Sequence, residues 1–290
     1  MPHPKKRLAA EASTKPWALI NLPPFPTVAA RILELLSDDK AGLKELADII
    51  RTDVAFSAEV LTLANCALFA VRTEIKTVLH ATALLGLNRV KAIAMTVGLR
   101  SYLTDSIKMP ALLACWRHSL ACAILCEDLA SATFMERDAA YLAGLLHDLG
   151  RLALSVVEPV KYSNLILEAE EHAIDVRMKE KELFGLDHCQ AGKWMAEQWK
   201  LPKDFAEFAA HHHDPIMPEK FDMMALLQLA CRLADSVGFP AVKSIDPSGF
   251  KEYLAKLPLQ VSQRFPHDRE ELALKVATKI NSIDISKPSG

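Results

Sequence analysis

Apolar residues recur at the helical period along most of this chain, and that pattern excludes most sheet-based architectures. Ala29, Ile32, Leu33, Leu35 and Leu36 mark one broad face, and Leu43, Leu46, Ile49 and Ile50 repeat the spacing of three and four. Sustained two-residue alternation is missing, and no Asn-Gly or Asp-Gly turn joins two alternating runs. Glycine occurs only ten times, several times as helix punctuation. Gly86 is expected to close one helix and Asn88 to cap the next, which runs to about Tyr102. Pro110, Pro159 and Pro202 fall where first helical turns are expected. The expectation is an all-α chain of roughly a dozen short, tightly connected helices.

Residues 1–20, with Pro2, Pro4 and Pro16, read as a loose arm, and 284–290 as a frayed tail. Between them the best internal boundary is the stretch from Asp105 to Pro110. It separates a helical subdomain over 21–108 from a larger one over 109–240, followed by a helical extension over 241–283. At 290 residues and 51% hydrophobic content the chain can bury a substantial core. Its net charge of -2 gives no global reason to expect nucleic acid or acidic lipid as a partner. No apolar run approaches the roughly 18 residues of a membrane span. Lys5, Lys6 and Arg7 are followed only by Leu8, Ala9 and Ala10 before Glu11, too short for a signal peptide. A cytoplasmic protein is expected. Cys66, Cys115, Cys122, Cys126, Cys189 and Cys231 form no CxxC pair and read as reduced, buried thiols.

The informative segment runs Gly144-Leu145-Leu146-His147-Asp148-Leu149-Gly150-Arg151. A His-Asp pair on a helix can direct an imidazole and a carboxylate toward one metal, with the second carboxylate oxygen left to bridge to another. Arg151 lies one helical turn after His147, where it could meet a phosphate oxygen. Upstream stands His118; downstream come His188, the run His211-His212-His213-Asp214-Pro215, and Asp235. Each lies in or beside an apolar, helical stretch, where an imidazole or carboxylate needs a partner. His3, His80, His172 and His267 have no such setting and read as solvent or packing residues.

This order, His, then His-Asp, then further histidines, then a late Asp, resembles the metal-ligand pattern of the HD superfamily of phosphohydrolases. The segments Trp116–Ser119, Ala143–Leu152, Glu182–Pro202 and His212–Pro215 are similar to those of its HDOD branch. So are Leu22–Pro26, Ile50–Asp53, Leu63–Asn65 and Ala83–Gly86 in the N-terminal half. The resemblance covers about residues 20 to 240. It implies an all-α, two-subdomain module of bacterial signal transduction that works through contacts with signalling proteins. It implies the metal ligands His118, His147, Asp148, His188, His212, His213 and Asp235, with His212 and His213 preferred over His211 because they precede Asp-Pro.

The alternative is a metal-dependent phosphohydrolase acting on a nucleotide or phosphodiester, with Asp148 and Arg151 as catalytic groups. The Gly-Tyr-Pro element of the cyclic-dinucleotide hydrolases is absent after the histidine run. Mixed imidazole and carboxylate ligands suit iron, manganese, nickel or zinc better than calcium. A structural reading also stands, with His147 and Asp148 as a buried hydrogen-bonded pair. Lys44 to Asn65 has a helix-turn-helix look, but Lys44 and Arg51 face Glu45, Asp48, Asp53 and Glu59, a balance that repels a phosphate backbone. Direct DNA binding is therefore not expected, nor is a membrane partner.

Overall fold

The computed structural model describes residues 15–36, 42–66, 73–216, 221–242 and 249–284, and among these every regular element is helical. The N-terminal part holds α1 (Thr27–Leu36), α2 (Leu43–Ile50), α3 (Val54–Ala64), α4 (Val78–Leu85) and α5 (Leu87–Tyr102). A 3-10 turn, Ser106–Lys108, leads into α6 (Pro110–Thr133), the longest helix. Then follow α7 (Arg137–Leu146), α8 (Leu149–Val157), α9 (Pro159–His172), α10 (Val176–Phe184), α11 (His188–Gln198), α12 (Lys203–His211) and α13 (Met223–Ser236). Helices α14 (Phe250–Ala255), α15 (Leu259–Ser262) and α16 (Arg269–Asp284) complete the described chain.

Pro110 and Pro159 occupy the first turns of α6 and α9, where a missing N–H costs nothing. Two expected caps differ. Pro202 sits one residue earlier, as the N-cap of α12. Asn88 lies inside the first turn of α5, because Gly86 serves as both the C-cap of α4 and the N-cap of α5. Its φ of 84° turns the chain between them, a backbone conformation that glycine adopts without a Cβ penalty. Asp53 and Thr77 cap α3 and α4 through their side chains.

One continuous apolar cluster runs from Ala18 to Ile283. Of the arm expected over residues 1–20, residues 1–14 lie outside the described chain; Trp17–Leu19 forms a 3-10 turn that packs on α8, with Leu19 fully buried. The stretch between Asp105 and Pro110 is likewise anchored: the Ser106 hydroxyl donates to the Ser155 carbonyl of α8 at 2.9 Å. The expected tail, apart from Asp284, lies outside the described residues. Residues Arg137–Val157, spanning α7 and α8, are long and apolar enough to cross a membrane, yet 89% of that window is buried inside the fold. They form its centre.

Two close approaches fix that centre. A Cβ on Gly144 of α7 would stand 2.6 Å from backbone atoms of Cys122 and Ala123 on α6. One on Gly150 of α8 would strike the His188 carbonyl and the Gly192 amide of α11. Only glycine lets these helices approach so closely.

Candidate metal centre

His147 and Asp148 do not share one helix. Helix α7 ends at Leu146, His147 is its C-cap, and Asp148 is the N-cap of α8 with ψ at 25°. In an unbroken helix adjacent side chains diverge by about 100°. The break lets both point into the same buried space. The other candidates converge from separate elements: His118 from the middle of α6, His188 from the first position of α11, His212 and His213 from the end of α12, and Asp235 from the last turn of α13.

The described residues bring these side chains together in two adjoining groups. In the first, His147 Nε2, Asp148 Oδ1 and His212 Nε2 are buried and have no hydrogen-bond partner. Asp148 Oδ1 lies 3.6 Å from His212 Nε2, and all three ligand atoms fall within 4.8 Å of one another. The opposite ring nitrogens are anchored. His147 Nδ1 lies 2.7 Å from the Gly144 carbonyl, and His212 Nδ1 lies 3.0 Å from that of Ala209. A carbonyl only accepts, so each Nδ1 carries the proton and each Nε2 presents a lone pair inward. Ligands about 2.0–2.2 Å from one ion stand at most about 4.4 Å apart; the Asp148–His212 pair already lies inside that limit and no pair exceeds it by more than about 0.4 Å, so a small closure fits this donor set to a divalent metal.

The second group surrounds Arg151, which is only 3% exposed. Its Nε donates to Asp148 Oδ2 at 2.8 Å, one terminal nitrogen lies 3.2 Å from His188 Nε2, and the other donates to the Tyr162 hydroxyl at 3.4 Å. Tyr162 in turn donates to Glu180 Oε1 at 2.5 Å. Glu180 Oε2 accepts from the His188 amide at 2.8 Å and meets His188 Nδ1 at 2.6 Å. His188 Nε2 also lies 2.9 Å from His213 Nε2. The Asp148 oxygen expected to bridge two ions is therefore held by a guanidinium, and Arg151 is committed to buried partners rather than extended toward a ligand. His211, by contrast, lies exposed beside Asp214 and Glu207.

His118 and Asp235 form the third side: His118 Nδ1 lies 2.8 Å from the Phe239 carbonyl and 3.3 Å from Asp235 Oδ1. Its Nε2 turns toward Cys122 Sγ at 3.4 Å. A cavity of ≈ 500 Å³ opens beside the cluster, lined among others by His118, Asp148, His212, Cys231, Asp235 and Tyr253.

The fields at these groups follow from the geometry. Burial would raise the Asp148 carboxyl, but Arg151, and after it His188, His147 and His212, hold it well below the usual range. Burial and Arg151 pull His188 down, while Glu180 and Asp148 outweigh them and push it to about 10. Burial, with His147 beside it, drops His212 to about 3, which keeps its lone pair available. Burial would likewise raise Cys231, yet Cys122, His147 and His118 hold it well below the ordinary thiol range.

The sequence did not single out Glu180 and Tyr162. Glu180 sits in Lys179-Glu180-Lys181-Glu182, a charge run that reads as a solvated face, yet it is completely buried. Cys122 and Cys231 read from sequence as reduced, buried thiols rather than as part of the site, although Cys122 follows His118 by four residues and Cys231 precedes Asp235 by four. That spacing placed each on the face of a candidate ligand.

The described residues form an all-helical fold with a buried His-Asp pair at a helix junction. The sequence profile of the HDOD domain matches residues 22–215, about two thirds of the chain, and the chain belongs to that family. Solved structures share the fold. An HDOD domain protein of unknown function from Geobacter sulfurreducens has a TM-score of 0.69 at 23% identity, covering 91% of this chain and 92% of that one. A proposed phosphohydrolase from Shewanella amazonensis SB2B has a TM-score of 0.67 at 21% identity, covering 93% and 98%. A proposed signal transduction protein from Marinobacter aquaeolei VT8 has a TM-score of 0.68 at 24% identity, covering 91% of this chain and 60% of its own. An uncharacterized protein of Treponema pallidum (strain Nichols) is 24% identical over 206 residues, which span 69% of this chain but 39% of that protein.

Proposed function

We propose that this chain is a regulatory HDOD module that acts in the bacterial cytoplasm through contacts with signalling proteins. In this reading it holds one divalent ion, iron, manganese, nickel or zinc, at His147, Asp148 and His212. The observation that carries it is the placement of Arg151. Its guanidinium binds Asp148 Oδ2 and stands 3.2 Å from His188 Nε2, the space and the atoms a second, bridged ion would need. It lines the cavity, but its remaining N–H groups face Tyr162 and Glu180, which are buried partners within the protein. Arg232, at the rim, is occupied by the carbonyls of Gln228, His213 and Asp214. A donor set without a committed phosphate-binding cation suits ion retention better than phosphoryl transfer.

When bound, such an ion supplies Lewis acidity and a positive charge beside the cavity. Asp148 and the two imidazoles orient it; Glu180 and Tyr162 fix Arg151, and Arg151 fixes Asp148. DNA is not the proposed partner. Helices α2 and α3 carry mixed charge, and Arg51 faces Asp48 at 3.6 Å on the surface.

The test joins metal analysis to an activity screen on untagged protein. After loading with Mn²⁺, which favours carboxylate over thiolate ligands, one equivalent is expected in the parent and none in Asp148→Ala. No metal-dependent turnover is expected across a panel of nucleotides and phosphodiesters. Turnover that disappears in Asp148→Asn would overturn the regulatory reading in favour of the phosphohydrolase that the Shewanella neighbour's description suggests. Equal Mn²⁺ content in Asp148→Ala and parent would remove the metal centre.

A further inference from the structure

Beside the His147–Asp148–His212 set, and sharing His147 with it, lies a second cluster of different chemistry. His118 Nε2, Cys122 Sγ, His147 Nε2 and Cys231 Sγ all fall within 4.8 Å of one another, and all four residues are buried. Helix α6 supplies His118 and Cys122 one turn apart on a single face, α7 ends on His147, and α13 supplies Cys231. His118 Nδ1 is taken by the Phe239 carbonyl and His147 Nδ1 by that of Gly144, so both imidazoles offer Nε2. His147 is 1% exposed and its Nε2 has no hydrogen-bond partner. Neither Cys122 nor Cys231 is in a disulfide.

We infer that His118, Cys122, His147 and Cys231 form a second metal site, closed and tetrahedral, for the thiophilic cation Zn²⁺. Two thiolates and two imidazoles with no carboxylate form the donor set that favours soft, four-coordinate d¹⁰ ions over manganese or magnesium. In a tetrahedral site with Zn–S about 2.3 Å and Zn–N about 2.0–2.1 Å, ligand atoms stand about 3.3–3.8 Å apart. Cys122 Sγ and His118 Nε2 are already 3.4 Å apart, and no pair needs to close by more than about 1.5 Å. The site would join α6, α7 and α13 at one point. It draws on the proposed function only through His147, whose single Nε2 lone pair serves one ion at a time. Loading here therefore competes with the His147–Asp148–His212 set.

The experiment uses the full chain, stripped with chelator and titrated with Co²⁺ as a coloured substitute for Zn²⁺. Intense thiolate-to-cobalt charge-transfer bands with tetrahedral d–d bands are expected at one equivalent, and Zn²⁺ should bleach them. The double variant Cys122→Ser/Cys231→Ser should abolish the bands, while Asp148→Asn should leave them. Co²⁺ bound without thiolate bands would overturn the inference, as would bands surviving the double variant. Should the double variant not fold, X-ray absorption of the Zn²⁺-loaded parent decides. Two sulfurs at about 2.3 Å and two nitrogens at about 2.0–2.1 Å support the site, and a shell of nitrogen and oxygen alone overturns it. Failure of the other centre reads differently: Asp148→Asn would then leave Mn²⁺ binding unchanged whatever the thiolate bands show.

Discussion

Gly144→Ala tests whether the centre of the fold depends on backbone contact between α6 and α7. The added Cβ would lie 2.6 Å from the Cα and N of Ala123 and from the carbonyl carbon of Cys122. Ordinary van der Waals contact begins at 3.4 Å, so the helices must part by about 0.8 Å. No rotamer change relieves the clash, because every atom met is backbone. Overpacking of this kind belongs near the upper end of the usual cost, about 3 kcal/mol. Alanine regains about 1 kcal/mol of helix propensity over glycine. The net destabilisation is about 2 kcal/mol, a fall in Tm of about 4–8 °C for a domain of this size class. The assay is thermal unfolding of metal-free parent and variant at one pH, with urea denaturation to confirm the sign. Gly42→Ala is the control: nothing lies within 4 Å of its added Cβ, and its cost should stay below about 1 kcal/mol, the loss of an N-cap glycine. A Gly144→Ala variant as stable as the parent would refute the argument, since propensity would then outweigh packing.

Arg151→Ala should cost about 3–5 kcal/mol, because it leaves Asp148 and Glu180 buried with their guanidinium removed; chemical denaturation reads it, and a loss under about 1 kcal/mol would mean that the network does not depend on Arg151. Tyr162→Phe should cost about 1–3 kcal/mol in the same assay by removing the hydroxyl between Arg151 and Glu180. In metal-free protein, stability should fall on both sides of neutrality. His212, lowered to about 3, contributes stability that is complete above about 6.5 and lost as pH falls toward 3. His188, raised to about 10, contributes stability that is complete below about 6.5 and lost as pH rises toward 10. Asp148 and Glu180, both lowered, add a further loss as pH falls below the ordinary carboxylate range. Denaturation series across pH check this, and His212→Gln should flatten the limb between about 6.5 and 4.5.

Helical periodicity made the fold class legible, since an apolar face three and four residues apart has few other uses. Helix ends were less legible. Asn88 has the chemistry of a cap, but Gly86, legible as the end of one helix, also begins the next through its positive φ and leaves Asn88 inside the first turn. The His-Asp pair was legible as a dipeptide. Its division between two helices was not, because the break lies in the backbone angles of Asp148 rather than in a proline or glycine. Arg151 was legible as a cation one turn from His147, but not as a buried one. What commits it are Tyr162 and Glu180, from α9 and α10, and a carboxylate inside a charge run carries no mark of burial.

Helix α16 lies beyond the segment matched by the HDOD profile. Its Leu272, Val276, Ile280 and Ile283 are buried, its Lys275 and Lys279 hold Asp128 of α6, and the Ile283 carbonyl accepts from Arg100 of α5 at 3.0 Å. It thus works as a clasp, tying the helix that begins the His-rich half to the last helix of the N-terminal half. A fragment cut at residue 215 or 240 would uncover an apolar strip along α6 and release both tethers at once. The folding unit therefore extends past the recognisable family segment, and fragments designed on that segment alone should aggregate where the longer chain stays monodisperse.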